Sequence, residues 1–508
     1  MDSLLKAIRS PGAMLGVTET APTRLPLEAS KASDSNTLIK TDPGYNLAAK
    51  EKFLDRCLDR IVRASGSTPV FSCIQLGLWA WVFAGIGVAH DPLWPVLISD
   101  IQAILSYAFD SFLMRQQFNG YYESLTIAAE IRSRGLSVRR MFRGLAERVG
   151  PEGIKRACFE ARNVEMEEFQ LPEPTRWTKA IQGLASIIGH VGFVVFYWAS
   201  IVLWLAFGPA NGWSNQWQLD INSATSALMV FIFSFLAILR ERHSDYVRAC
   251  IDAIYRVDST LELKLRTVTN DEADNLPVAI PALRMNRVQR IITYYADVVG
   301  ALTGVALLIV VFVAWLAIGP VLHFDTNWWL LIGTYAGLVG LIDGFVLRNV
   351  QTKLQGHEEP QYVQIDAEDR ELFAMLNLPL PPTEPLNPRK LSFRVSQKMG
   401  EICGHEIMVM AGLLLVFGLL IGASIMRWSE TGQLLCNIPP SVIESFFMII
   451  LITGHNAIEA QRRVDLKNIF ERRLKLLAIV DAASLVLSGG KPESGGQEVK
   501  ILELSIAE

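Results

Sequence analysis

Apolar positions dominate eight stretches of the chain, at roughly 69–89, 95–115, 180–207, 221–240, 293–319, 328–348, 404–426 and 441–460. Each is long enough for a helix to cross a hydrocarbon core of ~30 Å. The polar segments between them alternate in kind. Within a pair of stretches the connection is short and carries Trp, Pro, Asn or Gly, as in "AHDPLWP", "GPANGWSNQWQL", "GPVLHFDTNWW" and "RWSETGQLLCNIPP", the composition of interfacial turns. Between pairs it is long and charged, with apolar residues three or four apart, as in "FNGYYESLTIAAEIRSRGLSVRRMFRGLAERV". That spacing predicts amphipathic helices that leave the membrane and pack on one another. Basic residues crowd the long segments (Arg132, Arg134, Arg139, Arg140; Arg284, Arg287, Arg290; Arg462, Arg463, Arg472, Arg473), whereas the short turns hold only Arg427. By the positive-inside rule both termini and all long segments face the cytosol. The expected fold is an all-α integral membrane protein with about eight transmembrane helices, arranged as four parallel helical-hairpin repeats with long cytosolic helical extensions.

The hairpins echo one another in sequence. "IVLWLAFGP" (201–209) matches "VAWLAIGP" (313–320) at the outer ends of the third and fifth spans. Three second spans end inward on arginine, at Arg115, Arg240 and Arg348, and the fourth puts His455 there. The arginines are expected to snorkel to the cytosolic interface. Hairpins 1 and 3 share Asp-x-Phe-x-(Met/Leu)-Arg, from Asp110 and from Asp343, while hairpins 2 and 4 share Ile-x-Gly-His, in "IIGH" (187–190) and "ICGH" (402–405). Such alternation suggests two halves of two hairpins each. The division that follows is a disordered cytosolic tail over 1–48, hairpin 1 with its cytosolic helices over 49–175 and hairpin 2 with its own over 176–284. Hairpin 3 and a Pro-rich linker take 285–388, hairpin 4 and its cytosolic helix 389–487, and a C-terminal tail 488–508.

Composition narrows the function. Of 508 residues 51% are hydrophobic and 19% charged, with a mean hydropathy of +0.28, which is too apolar for an ordinary soluble protein of this size. The net charge of -4 and the lack of a basic tract point to no nucleic-acid partner. Six scattered cysteines without CxxC spacing read as free thiols. The chain contains no P-loop, G-x-S-x-G, H-E-x-x-H or Rossmann glycine pattern, so neither an enzyme nor a bound cofactor is expected.

The candidate chemistry lies inside the spans. Counting ~1.5 Å per residue from the outer turns places Asp110, Asp343, His190 and His405 at about the same depth, one carboxylate and one imidazole from each half. An ionisable side chain in a span costs several kcal/mol unless it faces water or a partner, so four in one layer argue for a polar path. Carboxylate with imidazole suits Fe²⁺, Mn²⁺ or Zn²⁺. Glu401, Glu406, Asp297 and His455 lie toward the cytosolic edge as candidate exit-side ligands, and for Glu401, Glu406 and Asp297 a solvated helix end is the plainer explanation. Asp100, Asp220 and Glu444 begin second spans, with His323 and Asp325 in a turn, and form either an acidic rim that concentrates cations or ordinary acids at helix N-termini. His90, His243 and His357 fall in exposed segments and receive no role. The plainer alternative for the acids is pairing with Arg115 and Arg348 to stabilise helix packing.

At this point the residues resemble a known family. "GPANGWSNQWQLDINSATSALMVFIFSFL" (208–236) is similar to the signature hairpin of the low-affinity iron permeases, and "FDSFLMRQQ" with "GYYESL" resembles the fungal members. The likeness runs from about 50 to 480. "AILRERHSD" stands where bacterial relatives carry an Asn/Gln-rich stretch, so no amide ligand carries over to that place, although Gln116 and Asn456 occur elsewhere. The resemblance implies low-affinity uptake of Fe²⁺ at the plasma membrane without a coupled oxidase, tolerant of zinc, copper and manganese. With no motif for ATP hydrolysis in the sequence, the ion gradient and the membrane potential would drive it. The partners expected are divalent metal ions and the lipid bilayer, with a homo-oligomer through the cytosolic helices also allowed. Two other functions fit the sequence: a cation channel that never occludes, and a membrane scaffold or receptor whose intramembrane charges are packing pairs.

Overall fold

The computed structural model describes residues 12, 14–24, 45, 50, 52–88, 93–161, 169–382 and 391–487. The expectations for most of the N-terminal tail, for 383–390 of the linker, for 488–508 and for His90 fall outside the described residues.

Four long helices make the frame: α3 (Leu93–Glu160), α6 (Asn215–Thr269), α9 (Thr326–Met375) and α13 (Ile438–Leu487). Each begins just after a short turn, runs through an apolar stretch and continues into a polar extension. Together the extensions form a stalk. The helices pack in the cyclic order α3, α6, α13, α9, and α3 also meets α13 across the bundle. Between 67% and 78% of their most apolar windows is buried. Shorter apolar helices surround them: α2 (Thr68–Val88), α5 (Val191–Phe207), α8 (Leu302–Ile318) and α11 (Glu406–Ile425). Their outward faces carry Ile86, Leu414 and Phe196, all at least two-thirds exposed. A continuous apolar skin of this kind is stable only against lipid. Among the described residues six helices are individually long and apolar enough to cross a membrane, and up to eight crossings result when two bent pairs are counted as one span each. The chain is therefore an all-α, multi-pass membrane protein.

The bends correct two expected spans. The stretch 180–207 is divided into α4 (Arg176–Ile188) and α5 with a 54° bend, and 293–319 into α7 (Arg287–Gly300) and α8 with a 66° bend. The peripheral helices α2 and α11 likewise follow a break, after α1 (Phe53–Ser65) and α10 (Leu391–Cys403). The leading helices of the bent pairs are amphipathic, whereas the helices after them are apolar all round. One straight rod cannot satisfy both patterns.

Every break seats on a long helix of another hairpin, and at three of the four a side chain of that helix bonds a backbone carbonyl at the break. Thr453 of α13 donates to the carbonyl of Gly189 at 3.0 Å and Asn456 to that of Ala185 at 2.7 Å. Ser111 of α3 donates to the Val299 carbonyl at 2.7 Å, and Asn349 of α9 to that of Gly404 at 2.9 Å. Gly66, between α1 and α2, lies against the Ala237 carbonyl of α6, where a Cβ would come within 2.7 Å of the oxygen. Followed in turn, these contacts close a ring in the same order as the bundle.

At the turn end, tryptophans thirteen residues apart face each other. The Trp81–Trp94 and Trp315–Trp328 rings stack at 4.2 Å, and each indole N–H donates to the other residue's carbonyl. Trp204 and Trp217 stack at 5.4 Å. The Gly-Pro repeat also has a physical basis. A Cβ on Gly208 or Gly319 would strike the ring of Trp213 or Phe324 at 2.4 and 2.3 Å.

The stalk has a charged core, with Arg473 held by Asp369 at 2.8 Å and Arg134 by Glu262 at 2.9 Å. Residues 14–24, assigned to a disordered tail, are built into it. Strand β1 (Val17–Glu19) pairs antiparallel with β2 (Val278–Ile280), and the Ala21 N–H donates to Ser133 at 3.0 Å.

Candidate functional site

Inside the bundle the helices meet along polar side chains. Nearest the turns, Asn222 of α6 donates to Ser99 of α3 at 2.8 Å, Gln102 bonds Ser106 at 3.2 Å, and Thr225 lies 3.2 Å from Ser441 of α13. Buried Ser226 and Ser445 extend this seam toward the stalk. At its foot stand three fully buried carboxylates: Asp110 of α3, Asp343 of α9 and Glu444 of α13. They are close enough to act on one another electrostatically. Tyr295 of α7 donates to Asp343 at 2.7 Å, and the other five of the six carboxyl oxygens have no hydrogen-bond partner. Burying carboxylates unpaired costs several kcal/mol each. Among the described residues no three His, Cys, Asp or Glu side chains converge on one point. The acids stand around the seam instead.

Asp110 and Asp343 are thus brought together as the repeated motif implies, and the arginines are not their partners. Arg115 bonds Asp59 at 2.5 Å and Asp55 at 3.2 Å, both on α1, while Arg348 donates to the Gly400 carbonyl at 3.1 Å and to Gln351 at 2.5 Å. Nor do Arg115 and Arg348 snorkel, because docking of α1 and α10 covers them and leaves 8% and 5% of their surface exposed.

His190 and His405 do not reach the acids. Each caps the helix after a break, its Nδ1 accepting the N–H of Gly192 at 3.0 Å or of Ile407 at 3.2 Å, and both are exposed. The Ile-x-Gly-His repeat marks a break between helices, with glycine packed on a neighbouring helix and histidine supplying the cap. Glu401 is exposed and bonds Gln397 at 3.2 Å, Asp297 is exposed, and Glu406 accepts two bonds of 2.9 Å from Asn286. His455 is buried at the stalk end of the bundle, 3.8 Å from Glu459 and edge-on to His243 at 5.3 Å. His243, expected in an exposed segment, keeps only 15% of its side-chain surface exposed and lies 3.9 Å from Glu459. His357 is half-buried beside the Tyr121 hydroxyl at 2.8 Å.

Glu444 does not sit on an outer rim. Asn437 packs beside Gly333 and Glu444 beside Gly340, a register that carries Glu444 two turns into the bundle, and a Cβ on Gly340 would lie 2.6 Å from both carboxyl oxygens. That glycine, facing an acid on the next span, is a signal the sequence holds but does not reveal until the register is known. Tyr295 lies only two residues before Asp297 in "YYADVVG", where the periodicity hides which side chain turns inward.

A family model described as low affinity iron permease matches residues 178–280 and 393–485. The low-affinity iron/zinc ion transport protein fet4 of Schizosaccharomyces pombe is 35% identical over 502 residues, covering 93% of this chain and 84% of the relative. The low-affinity Fe(2+) transport protein of Saccharomyces cerevisiae is 33% identical over 479 residues, covering 87% and 86%. No solved structure matches the chain significantly. With a buried acidic layer inside a multi-pass bundle and relatives of this extent, the chain belongs to the low affinity iron permease family, whose members are transporters and not enzymes.

Proposed function

We propose that the chain carries ferrous iron and other divalent transition-metal cations, zinc among them, across the plasma membrane into the cell with low affinity. The observation that carries this reading is the layer of Asp110, Asp343 and Glu444 at the foot of the polar seam, with five buried carboxyl oxygens awaiting a partner. A permeating cation supplies that partner. Weak, dispersed ligands suit transit, since an ion must leave as well as enter.

In this reading the stalk and both termini face the cytosol, as the basic residues favour. The four hairpins are repeats, supported by the thirteen-residue tryptophan spacing in three of them and by a ring of like docking contacts. Membrane potential drives a divalent ion inward with about 4.6 kcal/mol per 100 mV.

The test is uptake of radiolabelled Fe²⁺ by cells lacking their own iron transporters. Uptake should saturate with metal, and Asp110→Asn and Asp343→Asn should each lower it at least about tenfold at matched surface expression, equivalent to about 1.4 kcal/mol. Normal uptake by both variants would remove the acids from the path. No uptake by the native chain would favour a scaffold.

A further inference from the structure

Just beyond the carboxylates the bundle holds the opposite charge. Arg115 and Arg348 follow Asp110 and Asp343 by five residues toward the stalk, and Arg240 occupies the corresponding end of the α6 span. Only one of the three is neutralised: Asp55 and Asp59 meet Arg115. Arg348 is spent on a backbone carbonyl and an amide. Arg240 reaches across to α3 and donates to the Leu113 carbonyl at 3.3 Å, only three residues past Asp110. Among the described residues, neither Arg240 nor Arg348 has a carboxylate at ion-pair distance. His455 fills the fourth position and lies within electrostatic reach of Arg240.

A cation leaving the acidic layer toward the stalk passes the level of buried Arg348 and half-buried Arg240, neither of them ion-paired among the described residues, and away from bulk water the repulsion between like charges is only partly damped. We propose that Arg240 and Arg348 are the inner barrier of the path, fixed cations that close it to ions in this conformation and must move aside before a metal ion leaves. Arg348 has a destination for that movement, because it already donates to the carbonyl of Gly400, the residue before Glu401 on α10. Glu401 then serves the exit by receiving the arginine, not by binding the metal. The inference rests on the transport reading of the preceding subsection and deepens it.

Neutralising the barrier should make the protein leak. The experiment records whole-cell current in medium whose only permeant cations are Na⁺ and K⁺, for the native chain, Arg240→Gln, Arg348→Gln and Arg240→Lys at matched surface expression. The glutamine variants should pass at least tenfold more cation current than the native chain, and the lysine variant, which keeps the charge, should return to the native level. Glutamine variants at the surface with native-level current would overturn the proposal, and so would a lysine variant as leaky as glutamine. Should one glutamine variant fail to reach the surface, the other decides. Labelled Fe²⁺ uptake is measured on the same native cells. If these take up no metal the transport reading fails, whereas uptake with no leak in either variant removes the barrier alone.

Discussion

Two histidines in one motif and two aspartates in another look equivalent in the sequence, and their surroundings separate them. Asp110 and Asp343 point into the bundle, where no cation among the described residues pairs with them, while His190 and His405 spend a ring nitrogen on capping a helix. His190→Asn and His405→Asn, which keep a capping acceptor, should leave metal uptake unchanged. His190→Ala should cost roughly 0.5–2 kcal/mol of stability, read as a lower melting temperature. Lost uptake in the asparagine variants, with the protein at the surface, would return the imidazoles to the path. Gly340→Ala probes the missed acid, because its new methyl group falls 2.6 Å from the Glu444 oxygens and should cut uptake at least about tenfold (about 1.4 kcal/mol). Uptake at the native rate would show that Glu444 is not needed in that place. The two aspartates were legible because an acid in an apolar run is conspicuous. Glu444 and Tyr295 were not, because their roles depend on the register between helices and on which face of α7 turns inward, neither of which a single strand of sequence encodes locally.

At the scale of elements, the apolar runs and their short turns could be read directly, since hydropathy and turn composition are local. The bends could not, because "IIGH" sits inside a run that is apolar on average, and only the change from an amphipathic to a wholly apolar pattern betrays the break at Gly189. In the sequence the tryptophans stand out only as residues of the short turns, because which of them meet depends on the antiparallel pairing of the spans. Trp315 and Trp328 exchange two hydrogen bonds besides stacking, whereas the indole nitrogens of Trp204 and Trp217 have no hydrogen-bond partner. Trp315→Leu should therefore lower the melting temperature in detergent more than Trp204→Leu, the difference being about 1–3 kcal/mol for two hydrogen bonds. Equal losses would mean that apolar contact alone closes these turns.

For the whole molecule, the long helices couple the membrane bundle to a stalk whose core is ionic. Burial pushes the Asp369 carboxyl up to about 6 against the pull of Arg473 and Arg472, with Asp258 and Asp366 adding to the rise. A group with a raised folded pKa binds more protons folded than unfolded, so its contribution to stability falls as pH rises from 3.8 to about 6. Replacing Asp369 by Asn should flatten that part of the stability curve, measured as melting temperature against pH, and an unchanged slope would assign the titration elsewhere. Arg473→Leu leaves Asp258 and Asp369 short of their counter-charge and should destabilise the stalk by roughly 3–5 kcal/mol. The charged extensions were legible as amphipathic helices. Their buried ion pairs were not, because Asp258, Asp369 and Arg473 come from three separate long helices.

The most direct test of the account uses the purified protein in liposomes with an inside-negative potential, where no other transporter contributes. The initial rate of radiolabelled Fe²⁺ entry is compared between the native chain and the triple variant Asp110→Asn/Asp343→Asn/Glu444→Gln, with folding checked by melting temperature. The account predicts saturable entry for the native protein and entry at the rate of empty liposomes for a folded triple variant. A folded triple variant that carries iron at the native rate would contradict it.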